Sequence, residues 1–166
     1  RTGTTTIGAI SSYSFDLDAC VKSPLNKVFF CEVIGTKGDM IDTLFADFKD
    51  RLNIAKKYKS ANFIPAIAIH SPYSVHPFLV RETLKLAREE NLPVTSHFLE
   101  SREEFEWLHK DEGAFVEFFK NFLGQEQSVT KPMEFLNLFS NIKNLSFTHC
   151  VEASSDDFDK IKLLGA

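Results

Sequence analysis

The chemistry in this sequence gathers around Pro93-Val-Thr-Ser-His-Phe-Leu-Glu-Ser101, a buried-strand pattern that runs into His97 and, three residues later, Glu100. An imidazole at a strand end can bind a metal or polarise a substrate, and a carboxylate beside it can move protons. Side chains alternate along a strand, so positions 97 and 100 point to opposite faces for as long as the strand continues. The two converge only if the strand stops near Phe98 and the chain turns. That places the pair at the C-terminal mouth of a strand, where parallel α/β proteins keep their active sites.

Two further histidines end strand patterns. In Phe63-Ile-Pro-Ala-Ile-Ala-Ile-His70, Ala66, Ala68 and His70 share one face while Ile67 and Ile69 share the other. Small residues leading to a histidine suit a crowded barrel interior, and the isoleucines suit a helix layer. The same parity groups Thr95 with His97, and Phe147 with His149. A single strand-end histidine is more often a hydrogen-bonded structural imidazole than a functional group. Three of them on strands of one parallel sheet point into one shared mouth, which favours a site. Glu100 by itself also reads as a charge at a helix N-terminus. Glu32, near the end of Asn26–Ile34, reads either as an ion-pair partner or as a substrate contact. His76 and His109 fall in a loop and on a helix.

Other chemistries lack their motifs. The chain has no G-x-G-x-x-G, no Walker A loop and no G-x-S-x-G elbow. Its three cysteines, Cys20, Cys31 and Cys150, form no C-x-x-C pair; they read as free, buried thiols of a reducing cytoplasm. A net charge of −4 argues against a dedicated nucleic-acid or anionic-membrane binder. No apolar run has the length of a membrane span.

The elements that would carry these residues alternate. Strand patterns cover Thr4–Ser12, Asn26–Ile34, Phe63–His70, Pro93–Phe98 and Leu145–Cys150, with helical patterns over Phe15–Lys22, Asp39–Tyr58, Pro77–Asn91 and from Ser154 onward. Near-continuous apolar strands separated by amphipathic helices predict a parallel sheet in an α/β fold of 166 residues, one domain by length. The long connection from Ser101 to Asn144 holds Phe115, Phe118, Phe119 and Phe122 on one helical stripe, and then Phe135, Leu136 and Phe139. These predict helices packed outside the sheet, with an oligomer contact or a lid over the site as the alternatives. Arg1 entering a strand, and the stop at Leu163-Leu-Gly-Ala166, predict a piece of a longer chain.

Four runs in order, Gly3-Thr-Thr-Thr6, His70-Ser-Pro-Tyr-Ser74, His97-Phe-Leu-Glu-Ser101 and His149-Cys-Val151, resemble the amidohydrolase superfamily, in its branch of chlorohydrolases and nucleobase or nucleoside deaminases. Within that branch the chain resembles aminofutalosine and adenosine-type deaminases, the Ser71–Pro77 run and the phenylalanine-rich insert carrying the likeness to the aminofutalosine deaminases. The resemblance implies a metal-dependent (β/α)8 barrel of which this chain supplies strands two to six. It implies one divalent metal, zinc first and iron as the alternative, with His97 as a ligand. Glu100 would shuttle protons to a leaving nitrogen, His149 would orient the attacking water, and His70 would contact the substrate, with Glu32 as a further substrate contact. The implied substrate is a purine-like small molecule that loses ammonia by hydrolysis. The family's His-x-His ligand pair and its last aspartate have no counterpart here. The chain alone is therefore expected to retain little metal and to show no turnover, and its open sheet edges would accept partners, a second copy included. The competing reading is a free-standing, non-catalytic five-stranded α/β binding domain.

Overall fold

A computed structural model describes residues 3–166; Arg1, where the expectation of a cut chain begins, lies outside the described residues. The strands are β1 (Thr6–Ser11), β2 (Asn26–Val33), β3 (Phe63–Ile69), β4 (Val94–Phe98) and β5 (Leu145–His149). They form one parallel sheet in the order β1-β2-β3-β4-β5. Sequential order with intervening helices is the local topology of a (β/α)8 barrel wall. The helices are α1 (Leu17–Lys22), α2 (Ile41–Lys56), α3 (Pro77–Glu90), α4 (Arg102–Lys110), α5 (Phe115–Phe118), α6 (Pro132–Asn137) and α7 (Ser155–Leu164).

The two faces of the sheet have different fates. Phe29, Cys31 and Val33 of β2, with Phe63, Ile67 and Ile69 of β3, point into the helix layer. There they join Phe48, Leu52 and Ala55 of α2 and Leu79 and Leu84 of α3 in the main core. Ala66 and Ala68 of β3 are buried as well, on the opposite face. Elsewhere on that second face the sheet is open, with Ile10 of β1 40% and Ile64 of β3 42% exposed. β1 lies at an edge of the sheet, and its Thr6, Gly8 and Ile10 side is uncovered.

Sequence punctuation places most element ends. His76 caps α3, its Nδ1 accepting from the Phe78 N–H, with Pro77 at the first helical position. Ser154 caps α7, and Asp157 reaches back to complete a capping box. The first helix starts two residues later than its pattern, leaving Phe15 91% exposed. The phenylalanine stripe also splits. After α5 the chain widens into a π-helical turn over Phe119–Leu123, and more residues per turn carry Phe122 off the stripe. Phe119 is buried on Trp107, with ring planes 5° apart and centroids separated by 4.9 Å. Phe118 and Phe122 stack on each other and stay exposed. Of the cysteines, only Cys31 is fully buried; Cys20 and Cys150 are partly exposed.

Candidate active site

The strand carrying His97 stops at Phe98, and Leu99 takes a left-handed φ of 46°. The turn brings Glu100 round to the side of His97, as convergence of the pair requires. Ser101 then caps α4, its hydroxyl accepting from the Glu104 N–H. Glu100 therefore stands one residue before the N-cap, outside the helix.

His149 arrives by a different route. Register pairs it with Phe98, and Phe147 on the same parity packs against Phe98 and Phe139 in the helix layer. Continued strand geometry would send His149 there too. Instead His149 and Cys150 both adopt left-handed backbone, with φ of 74° and 54°, and the imidazole swings to the opposite face. The shared parity of Phe147 and His149 read from the sequence is thus broken at the last residue. Histidine is among the few non-glycine residues enriched in this conformation.

The result is a contiguous polar cluster at the C-terminal end of the sheet. His149 Nε2 lies 3.1 Å from His97 Nδ1, and the rings stack with centroids 5.1 Å apart. Glu100 Oε2 lies 3.5 Å from the same His149 nitrogen. His70 meets His97 edge-on, with centroids 5.4 Å apart. Donor atoms of His97, Glu100 and His149 lie within 4.8 Å of one another, as do those of Glu32, His70 and His97. His97 belongs to both groups.

His70 and Glu32 are held from outside the cluster. His70 Nδ1 lies 2.5 Å from the Ser74 hydroxyl and 3.1 Å from that of Ser71, leaving Nε2 for the mouth. Burial pulls the His70 imidazole below its usual pKa, against an opposing pull from Glu32. Glu32 is buried; its carboxylate accepts from the Ser12 hydroxyl at 2.5 Å, and Arg51 of α2 donates to its backbone carbonyl at 2.9 Å. The loop carrying Ser71 and Ser74 is tied to the end of β2 through Gly35, whose N–H donates to Ser74 O and whose carbonyl accepts from the His76 N–H, both at 2.8 Å. Gly35 has φ of 138°, and a Cβ there would meet Leu44 Cδ1 at 2.4 Å, so the position requires glycine.

Beside His70 lies an apolar cavity of about 350 Å³, walled by Ile34, Met40, Leu44, Phe118, Phe119 and Leu123. The expected site residues Glu32, His70, His97, Glu100 and His149 thus all meet at one mouth, while His76 and His109 lie elsewhere, in a helix cap and stacked on Phe105. The supporting residues Ser12, Ser74 and Glu104 did not emerge from the sequence as individuals. Glu104 had a signal, the Ser101-x-x-Glu104 capping pattern that follows the fourth strand.

The chain is 45% identical over 97% of its length to an aminodeoxyfutalosine deaminase of Nitratiruptor, and 30% identical over 98% to an adenosine deaminase of Helicobacter pylori. It spans about 40% of the length of each of these relatives. The crystal structure of Helicobacter pylori aminofutalosine deaminase in complex with methylthio-coformycin superposes with a TM-score of 0.87 at 28% identity, covering 98% of this chain and 40% of that one. A zinc-bound adenosine deaminase of Xanthomonas campestris shares the fold, at a TM-score of 0.64 and 15% identity. The five parallel strands are thus part of a (β/α)8 barrel. The sequence model of the amidohydrolase family matches residues 1–164, and the chain belongs to that family.

Proposed function

We propose that residues 1–166 act as one unit, a portion of the barrel domain of a metal-dependent hydrolase that deaminates a purine-like nucleoside. The observation that carries the reading is the turning of His149 out of its strand register to meet His97 and Glu100. Two imidazoles and a carboxylate within 4.8 Å form a donor set suited to zinc or iron, and His97 is the residue we assign to hold the ion. A bound divalent metal supplies the Lewis acid that makes a water molecule nucleophilic near neutral pH.

The chain's own residues handle positions and protons. In the proposed reaction water adds to the amino-bearing ring carbon, the C–N bond breaks and ammonia leaves. Glu100, half exposed at the mouth, takes a proton from the water and returns it to the departing nitrogen. His149 orients the water against the ring. His70, neutral because burial disfavours its charge, hydrogen-bonds the substrate through Nε2. Glu32 accepts from a substrate hydroxyl, and the apolar cavity beside His70 takes the less polar part of the ligand. Among the described residues no helix is long and apolar enough to cross a membrane, and three unpaired thiols suit a reducing cytoplasm. A free-standing, non-catalytic domain accounts poorly for a match of 97% of this chain to 40% of a deaminase.

The test is Glu100→Gln in the natural polypeptide that contains this chain, with ammonia release measured from adenosine, 5′-deoxyadenosine and aminodeoxyfutalosine. Turnover should fall by about 10²–10⁴ on the best of the three, with metal content retained. Near-normal turnover would remove Glu100 from the chemistry.

A further inference from the structure

Glu104 is a buried carboxyl group. It lies in the first turn of α4 with 1% of its surface exposed. Its two carboxylate oxygens accept from two backbone amides in sequence: Oε1 from the Leu99 N–H at 3.1 Å, and Oε2 from the Glu100 N–H at 2.8 Å. In an ordinary capping box the acidic residue at this position returns to the N–H of the N-cap residue itself. Here the N-cap is Ser101, and Glu104 overshoots it by one and two residues. The left-handed turn at Leu99 folds both amides toward the helix and makes the overshoot possible.

The same turn receives the next strand. The Cys150 N–H donates to the Phe98 carbonyl at 2.8 Å, and the Glu152 N–H donates to the Leu99 carbonyl at 3.0 Å. Glu104 therefore sits beneath the joint at which the His97–Glu100 turn and the His149 loop meet. Capping α4 does not require this burial, because an exposed carboxylate in a first turn already favours the helix dipole, and Glu103 is available there. What the buried carboxylate adds is a fixed backbone direction for Glu100.

We propose that Glu104 is a positioning residue for Glu100: its carboxylate clamps the Leu99 and Glu100 amides and so sets where the Glu100 carboxylate stands relative to His97 and His149. This rests on the role of Glu100 in the proposed function. Glutamine at position 104 keeps the shape and one acceptor but sets an NH2 group against one of two N–H donors, so one amide is released.

The experiment is a double-mutant cycle of Glu100→Gln and Glu104→Gln in the natural polypeptide, with kcat, KM and metal content read for each variant, together with amide hydrogen exchange. E104Q should lower kcat by at least about ten-fold with KM held within about two-fold, since misplacing a catalytic group by about 1 Å costs rate more than binding. In the E100Q background the same change should cost less than about two-fold, because the group it positions is already gone. Exchange at Leu99 and Glu100 should quicken while that of Phe105, bonded to the Ser101 carbonyl, stays slow. Equal losses in both backgrounds, or an unchanged kcat, would overturn the proposal. If E104Q does not fold, E104D, too short to reach both amides, takes its place in the cycle. If neither folds, Glu104 serves the fold alone and the proposal fails. Normal turnover by E100Q alone would instead defeat the proposed function, while the exchange pattern at Leu99 and Glu100 would still report on the clamp.

Discussion

Burial pushes the Glu104 carboxyl up to about 7, against the pull of the Leu99 and Glu100 amides that bond its charged form. In the unfolded chain the same group loses its proton near its ordinary value of 4.5. Between these values the folded state holds a proton that the unfolded state has released. The contribution of Glu104 to stability is therefore fully present below about 4.5 and is lost as pH rises to about 7, a fall of roughly 3 kcal/mol. Urea midpoints of the natural polypeptide and its E104Q variant, taken across that window, should have different slopes against pH, with the variant flatter; parallel slopes would contradict the assignment. Residue identity made His70, His97 and Glu100 legible: alternation fixes the face of the two histidines, and Glu100 joins them once the strand stops and the chain turns at Leu99. His149 was legible as a residue and not as a direction. Its face depends on one positive φ, which the residue type permits without dictating. Glu104 was hidden by its ordinary surroundings, a helix-start pattern that usually points to solvent.

At the scale of elements, aromatic contacts hold the insert between β4 and β5, Phe135 and Phe139 at its far end and Phe119 near its middle. Phe119 lies on the indole of Trp107, and Tyr73, whose ring meets His70 edge-on, packs edge-on against Phe119 with centroids 6.1 Å apart. Phe119→Ala should destabilise the protein by about 3–5 kcal/mol and enlarge the cavity beside His70. Trp107 is the sole tryptophan of this chain, so its emission, in a preparation of these residues, should shift to longer wavelength as water reaches the ring; an unshifted spectrum with unchanged stability would show that the stack is dispensable. The helical character of this insert was legible from the i, i+3, i+4, i+7 spacing. The π-helical turn was not, because one extra residue in a turn leaves no mark on composition, and the spacing rule assumes the α-helical pitch throughout.

Across the whole molecule, the order of the elements was readable because strand and helix periodicities differ and turn residues separate them. Burial of the face opposite the helices was not, because it depends on neighbours beyond any local window. Ile10, Ile64 and partly Phe30 present apolar surface on that face. The 166-residue chain by itself should therefore bind anilinonaphthalene sulfonate, and Ile10→Thr with Ile64→Thr should lower that fluorescence; an undiminished signal would locate the dye elsewhere. The strictly sequential strand order also governs how the sheet is assembled on the ribosome. Each strand from β2 onward emerges to find its only preceding neighbour already made, so no strand has to wait for a later one to complete its inner edge. The longest delay falls between β4 and β5, while residues 99–144 are translated, a gap of several seconds at about 5–20 residues per second. Through that interval β4 is an open edge, His97 and Glu100 have no His149 opposite them, and the emerging phenylalanine-rich helices are the first part of the chain able to shelter it.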